Sequence, residues 1–102
     1  MSANASSRID RGLAFGDGLF ETLFVDRGQP VALAEHMVRL RVGLARLGLP
    51  EPGFESIIAA INEAVGDAAP TGVCKLVVTA GTGPRGYRRP AYLEPTVRAS
   101  FG

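Results

Sequence analysis

From Leu19 to Val25 an apolar run, interrupted only by Glu21 and Thr22, sorts with a period of two into the two sides of an extended chain. Leu19, Glu21, Leu23 and Val25 fall on one side, with Phe20, Thr22 and Phe24 on the other. That alternation predicts a strand over Leu19–Asp26, fed by a tight turn at Phe15-Gly16-Asp17-Gly18. Arg27-Gly28-Gln29-Pro30 reads as a reverse turn, and Val31–Leu33 as a short return strand whose Pro30 cannot donate to a ladder. The period then changes to that of a helix. Met37, Leu40, Leu44 and Leu47 form one stripe over Glu35–Leu47, with Gly48 as the stop and Pro50 beyond it. Phe54, Ile57, Ile58, Ile61 and Val65 repeat the pattern in a second helix, Phe54–Val65, closed by Gly66. Val73–Thr79 is rich in β-branched residues between Gly72 and Gly81, and predicts a strand buried on both faces over most of its length. Gly81–Pro90 reads as a loop and Thr96–Phe101 as a last strand. Residues 1–9 are a loose arm in which a pairing strand can begin near Arg8 and Ile9, and Asp10-Arg11-Gly12 is a turn.

Two helices among four or five strands, with hairpin connections early and no strand–helix repeat, predict an α+β two-layer sandwich. The helices cover one face of a mainly antiparallel sheet. A chain of 102 residues supports one domain with one modest core. Ending on a strand points either to a polypeptide that continues or to a partner strand elsewhere.

Composition narrows the function. A net charge of +1 and 46% hydrophobic content argue against a nucleic-acid partner and against disorder. No stretch has the length or character of a membrane span or a targeting segment, so the expectation is a cytoplasmic protein. The single Cys74 lies in an apolar run and reads as a small buried hydrophobe. Ten arginines accompany one lysine, Lys75, so lysine chemistry has a single candidate.

Several residues could carry chemistry. The glycines of the Gly81–Arg89 loop let backbone amides approach a ligand, Arg85 offers a planar fork for a carboxylate or phosphate, and Tyr87 offers a hydroxyl. A solvated hairpin loop satisfies the same spacing. Arg39 lies one helical turn after Glu35, compatible with a surface ion pair, and one turn before Gly43, whose missing side chain would let something dock beside it. His36 reads as a boundary residue. Asp17 between two glycines reads as a cap of its own turn, and Glu21 as an outward-facing strand residue. No nucleophile–His–acid triad and no metal-ligand cluster emerges.

Three motifs in order, Asp10-Arg11-Gly12 leading to Phe15-Gly16-Asp17-Gly18-Leu19-Phe20-Glu21-Thr22, then His36-Met37-Val38-Arg39-Leu40, then Val78-Thr79-Ala80-Gly81-Thr82-Gly83-Pro84-Arg85-Gly86-Tyr87, resemble the class IV (fold type IV) pyridoxal-phosphate enzymes. That family includes branched-chain aminotransferases, D-amino-acid aminotransferases and 4-amino-4-deoxychorismate lyases. The Gly-Asp-Gly-Leu-Phe-Glu-Thr run and the Gly-x-Gly-x-Arg-Gly-Tyr loop look most like the lyases, which release 4-aminobenzoate and pyruvate on the way to folate.

The resemblance implies roles for individual positions. Arg39 matches the arginine that binds the phosphate of pyridoxal 5'-phosphate, Phe20 an aromatic wall of the substrate pocket, and Arg85 and Tyr87 loop residues that reach a substrate carboxylate across a homodimer interface. Ala80 stands where the family carries an arginine. The lysine that joins the cofactor covalently belongs, in this family, to a C-terminal domain, and Lys75 does not match it. The resemblance therefore implies that residues 1–102 are a single N-terminal domain, with the catalytic-lysine domain absent, no catalytic residue of its own and no activity alone. The remaining alternatives are an aminotransferase of the same family, or a non-catalytic module retaining the fold.

Overall fold

The computed structural model describes residues 8–11, 16–84 and 93–102. In chain order its elements are β1 (Arg8–Asp10), β2 (Gly18–Asp26), β3 (Gln29–Pro30), α1 (Leu33–Leu47), α2 (Phe54–Val65), β4 (Gly72–Thr79), β5 (Thr82–Pro84) and β6 (Thr96–Phe101). Four strands form one antiparallel sheet in the order β3-β2-β4-β6, and β1 pairs with β5 in a separate antiparallel ribbon. Both helices pack against the larger sheet, α1 on β2 and α2 on β6 and β4. This is the predicted α+β two-layer arrangement.

Register turns the alternation of the sequence into two chemically different faces. Leu19 pairs with Val78 and Val78 with Val97; Glu21 with Leu76 and Leu76 with Ala99; Leu23 with Cys74 and Cys74 with Phe101. These rows face the helices, because successive side chains of a strand point to opposite sides. Leu23, Val25, Cys74, Leu76 and Val78 are buried there against Met37, Leu40 and Leu44 of α1 and Ile57, Ile61 and Val65 of α2. The intervening rows, Phe20–Val77–Arg98 and Thr22–Lys75–Ser100, lie on the open face.

Several elements depart from expectation. Val31–Leu33 is not a strand: the ladder with β2 ends at Pro30, the Val31 amide donates to the Phe24 carbonyl at 2.8 Å, and Ala32 turns the chain in a left-handed conformation so that α1 starts at Leu33. An early start brings Leu33 against the core. The apolar stripe of α1 ends at Leu44. Leu47 is exposed, and Leu49, past the Gly48 cap, is buried in its place. Gly48 has φ 71° and the Leu49 amide bonds the Leu44 carbonyl, a closure that favours glycine. Phe54 is likewise exposed rather than core. β4 is not two-sided: Val73 and Lys75 are exposed, and only from Val78 onward are consecutive residues buried. β6 finds its partner within the chain, pairing with β4 along Thr96–Phe101.

Two close approaches fix the layers. A β-carbon at Gly43 would come within 2.8 Å of the Leu19 side chain, so this helical glycine admits β2 itself. A β-carbon at Gly18 would stand 2.5 Å from the Val78 carbonyl oxygen, inside the backbone of the neighbouring strand.

Candidate functional site

Three groups of residues converge on β2. The first surrounds its beginning. Arg11 is 2% exposed, and its Nε–H donates to Asp17 Oδ2 at 2.9 Å. Its amide donates to the Gly81 carbonyl, its carbonyl accepts the Asp17 amide, and the Asp17 carbonyl accepts the Ala80 amide. The Thr79 hydroxyl donates to Asp10 Oδ2 at 3.1 Å and accepts the Gly81 amide. Charge-assisted bonds of this kind tie the turn before β2 to the exit of β4. Gly16, with φ 66°, supplies the backbone conformation that makes the turn tight.

The second group lines a cavity of about 490 Å³ at the open face, bordered by Asp10, Gly16, Gly18, Leu19, Phe20, Val77, Thr79 and Arg98. That size is ordinary for a small-molecule site. Phe20, 59% exposed, presents its ring there, and the Lys75 ammonium lies over the ring at 4.6 Å from its centroid.

The third group lies on the helix-facing side. The Glu21 carboxylate is 8% exposed, its Oε1 is 2.7 Å from His36 Nδ1, and its Oε2 is 3.8 Å from Arg39 Nη2. With the carboxylate ionised it only accepts, so Nδ1 carries the proton. Arg39 itself is 73% exposed.

Glu21 is therefore inward-facing, not outward: it holds a place in a row with Leu76 and Ala99 because two cation-forming side chains of α1 lie over it. Among the described ion pairs Arg39 meets Glu21 and not Glu35. The Asp17 carboxylate, expected to cap its own turn, bonds Arg11 across it. Phe20 and Arg39 are on opposite sides of β2, and Arg39 is not among the residues lining the open-face cavity. The first part of the expected loop is a strand, Thr82–Pro84, against β1. Arg85 and Tyr87 lie outside the described residues. Arg11, placed by its neighbours in a turn, carries a role that the sequence pattern does not announce. Its only signal is an arginine six residues ahead of an aspartate across a glycine-rich segment.

Taken separately, these residues suit the parts of a phosphorylated pyridine, with Arg39 and Phe20 on opposite sides of β2. A guanidinium fork with one long contact is open to a dianion, and an exposed aromatic ring beside an apolar cavity suits a planar ring.

Residues 18–101 match the family described as Amino-transferase class IV. The chain belongs to this family. A 4-amino-4-deoxychorismate lyase from Pseudomonas aeruginosa is 41% identical over 100% of the chain and 35% of its own length, with a TM-score of 0.75. A hypothetical aminotransferase from Mycobacterium tuberculosis in a PLP-bound form is 27% identical over 91% of the chain and 32% of its own length, TM-score 0.72. A fold IV transaminase from Curtobacterium pusillum is 33% identical over 91% and 32%, TM-score 0.62. The chain thus spans about a third of these class IV proteins. Comparison with curated proteins gives no match.

Proposed function

We propose that the chain is the N-terminal domain of a pyridoxal-phosphate-dependent aminodeoxychorismate lyase, a cytoplasmic homodimer that converts 4-amino-4-deoxychorismate to 4-aminobenzoate and pyruvate for folate synthesis. The observation that carries this reading is the 41% identity, over the whole chain, to a lyase of that name. Among the described residues no helix is long and apolar enough to cross a membrane.

When bound, pyridoxal phosphate supplies an electron sink for bond changes at the substrate's amine-bearing carbon. Arg39 holds its phosphate, as the exposed guanidinium and its long contact to Glu21, the one ion pair it makes among the described residues, support. Phe20 walls the substrate pocket and excludes water from one side of it. Arg85 and Tyr87 bind a substrate carboxylate. No residue of this chain moves the reaction's protons. Lys75 is engaged by the face of Phe20 and stays structural, and the lysine that joins the cofactor belongs to the C-terminal domain that the family resemblance implies.

A transaminase is the second reading, favoured by the 33% identity to a fold IV transaminase. An assay of the full-length protein separates the two. Release of 4-aminobenzoate from aminodeoxychorismate is the expected result; amine transfer dependent on a 2-oxo acid, without 4-aminobenzoate, overturns it. The 102-residue chain alone is expected to do neither.

A further inference from the structure

Glu21 violates the pattern of its own strand. It occupies the helix-facing side of β2, in line with Leu19, Leu23 and Val25 and in register with Leu76, where the core is otherwise apolar. A buried carboxylate in such a row costs stability unless it is paired, and an apolar side chain of similar size there is often neutral or better. Departures from local rules of this kind concentrate at sites kept for function. The pairing is specific. His36 lies one turn before Arg39 on α1, its Nδ1 is 2.7 Å from one carboxylate oxygen, and Arg39 is 3.8 Å from the other. His36 is largely covered while Arg39 is mostly in solvent, so the carboxylate is held by His36 on one side and faces an exposed guanidinium on the other.

We infer that Glu21, braced by His36, is a positioning residue that restrains Arg39 in the orientation required by the cofactor's phosphate; this rests on the phosphate role proposed above for Arg39. Arginine has many rotamers, and a fork held from beneath loses less freedom on taking a phosphate than one free in water. The 3.8 Å separation leaves the outer N–H groups unspent. Simple charge summation predicts the opposite effect, since a carboxylate beside Arg39 offsets its charge and its removal should then strengthen phosphate binding. The sign of the effect decides between the two.

The test uses the full-length apo-protein and two ligands, pyridoxal 5'-phosphate and pyridoxal, titrated by absorbance. Their affinity ratio reads phosphate recognition alone, because any covalent bond to the aldehyde is common to both. Arg39→Ala is expected to lower the ratio about a hundredfold, the scale of a lost charged hydrogen-bonding group. Glu21→Gln is expected to lower it about tenfold, as removal of a group that orients a ligand-binding residue commonly does, with pyridoxal affinity and melting temperature nearly unchanged. Glu21→Met, which suits the apolar row, keeps the fold and shows the same loss. Adding Glu21→Gln to Arg39→Ala costs nothing further, because the two residues act as one.

An Arg39→Ala ratio equal to that of the wild type overturns the phosphate role and the inference with it. A collapsed ratio for Arg39→Ala, together with an unchanged or raised ratio for both Glu21 variants, overturns the positioning role alone. Equal weakening of both ligands by the Glu21 variants assigns Glu21 to the fold and overturns the inference as well.

Discussion

Arg11 and Asp17 place opposite charges in an enclosed site at the start of β2, one 2% and the other 11% exposed. Breaking such a pair leaves a buried charge uncompensated. Arg11→Ala is therefore expected to cost about 3–5 kcal/mol, seen as a lower denaturation midpoint with an unchanged denaturant slope. A loss below 1 kcal/mol would show the pair to be no better than a surface one. Lys75→Ala is the contrast: an exposed cation over an exposed ring contributes only about 0.5–1 kcal/mol. Cys74 tests burial by reactivity, since desolvation in the core raises its thiol above the ordinary value. A raised thiol contributes stability present below its unfolded pKa and lost as pH rises through the higher folded one. The native protein should therefore resist an aromatic disulfide reagent at pH 8 and react only on unfolding; fast native labelling would contradict this. Cys74 was legible from its apolar neighbours. Glu21 was not, because its partners lie 15 and 18 positions away on a helix whose packing the sequence does not state.

At the scale of elements, α2 has the limits its periodicity predicts, Phe54–Val65, because Gly53 and Gly66 interrupt the helix on either side. α1 was less legible at its start. Ala32, at φ 56°, has no side-chain cap to announce the helix, and Val31 mimics a strand residue. Left-handed alanine is strained by about 1–2 kcal/mol, so Ala32→Gly is expected to stabilise the protein by roughly half of that once the freer unfolded chain is counted. A lower melting temperature would place the strain elsewhere. The missing side chain of Gly43 leaves space beside Arg39 in the helix pattern, yet that space is filled by Leu19. Gly43→Val should consequently loosen α1 from β2, measurable as faster amide exchange along β2. Unaltered exchange would show that Leu19 can move aside.

Across the whole molecule, the two-layer fold followed from hydrophobic period alone. The ribbon of β1 and β5 did not, since it pairs segments more than seventy residues apart. The two faces of the sheet differ in character, with Phe20 turned to the open face and Glu21 to the helices. Phe20, Phe24 and Val73 leave apolar surface on the open side, and Val38 and Val42 do so on α1. Surface of that kind favours association. The 102-residue chain is accordingly expected to self-associate in light scattering as its concentration rises, and sharp monomeric behaviour would contradict this. The proposed cofactor site depends most on the guanidinium of Arg39. A crystal structure of the full-length protein with pyridoxal phosphate measures it directly: the account predicts Arg39 N–H groups within about 3 Å of phosphate oxygens. A phosphate bound by other residues, with Arg39 left in solvent, would contradict it.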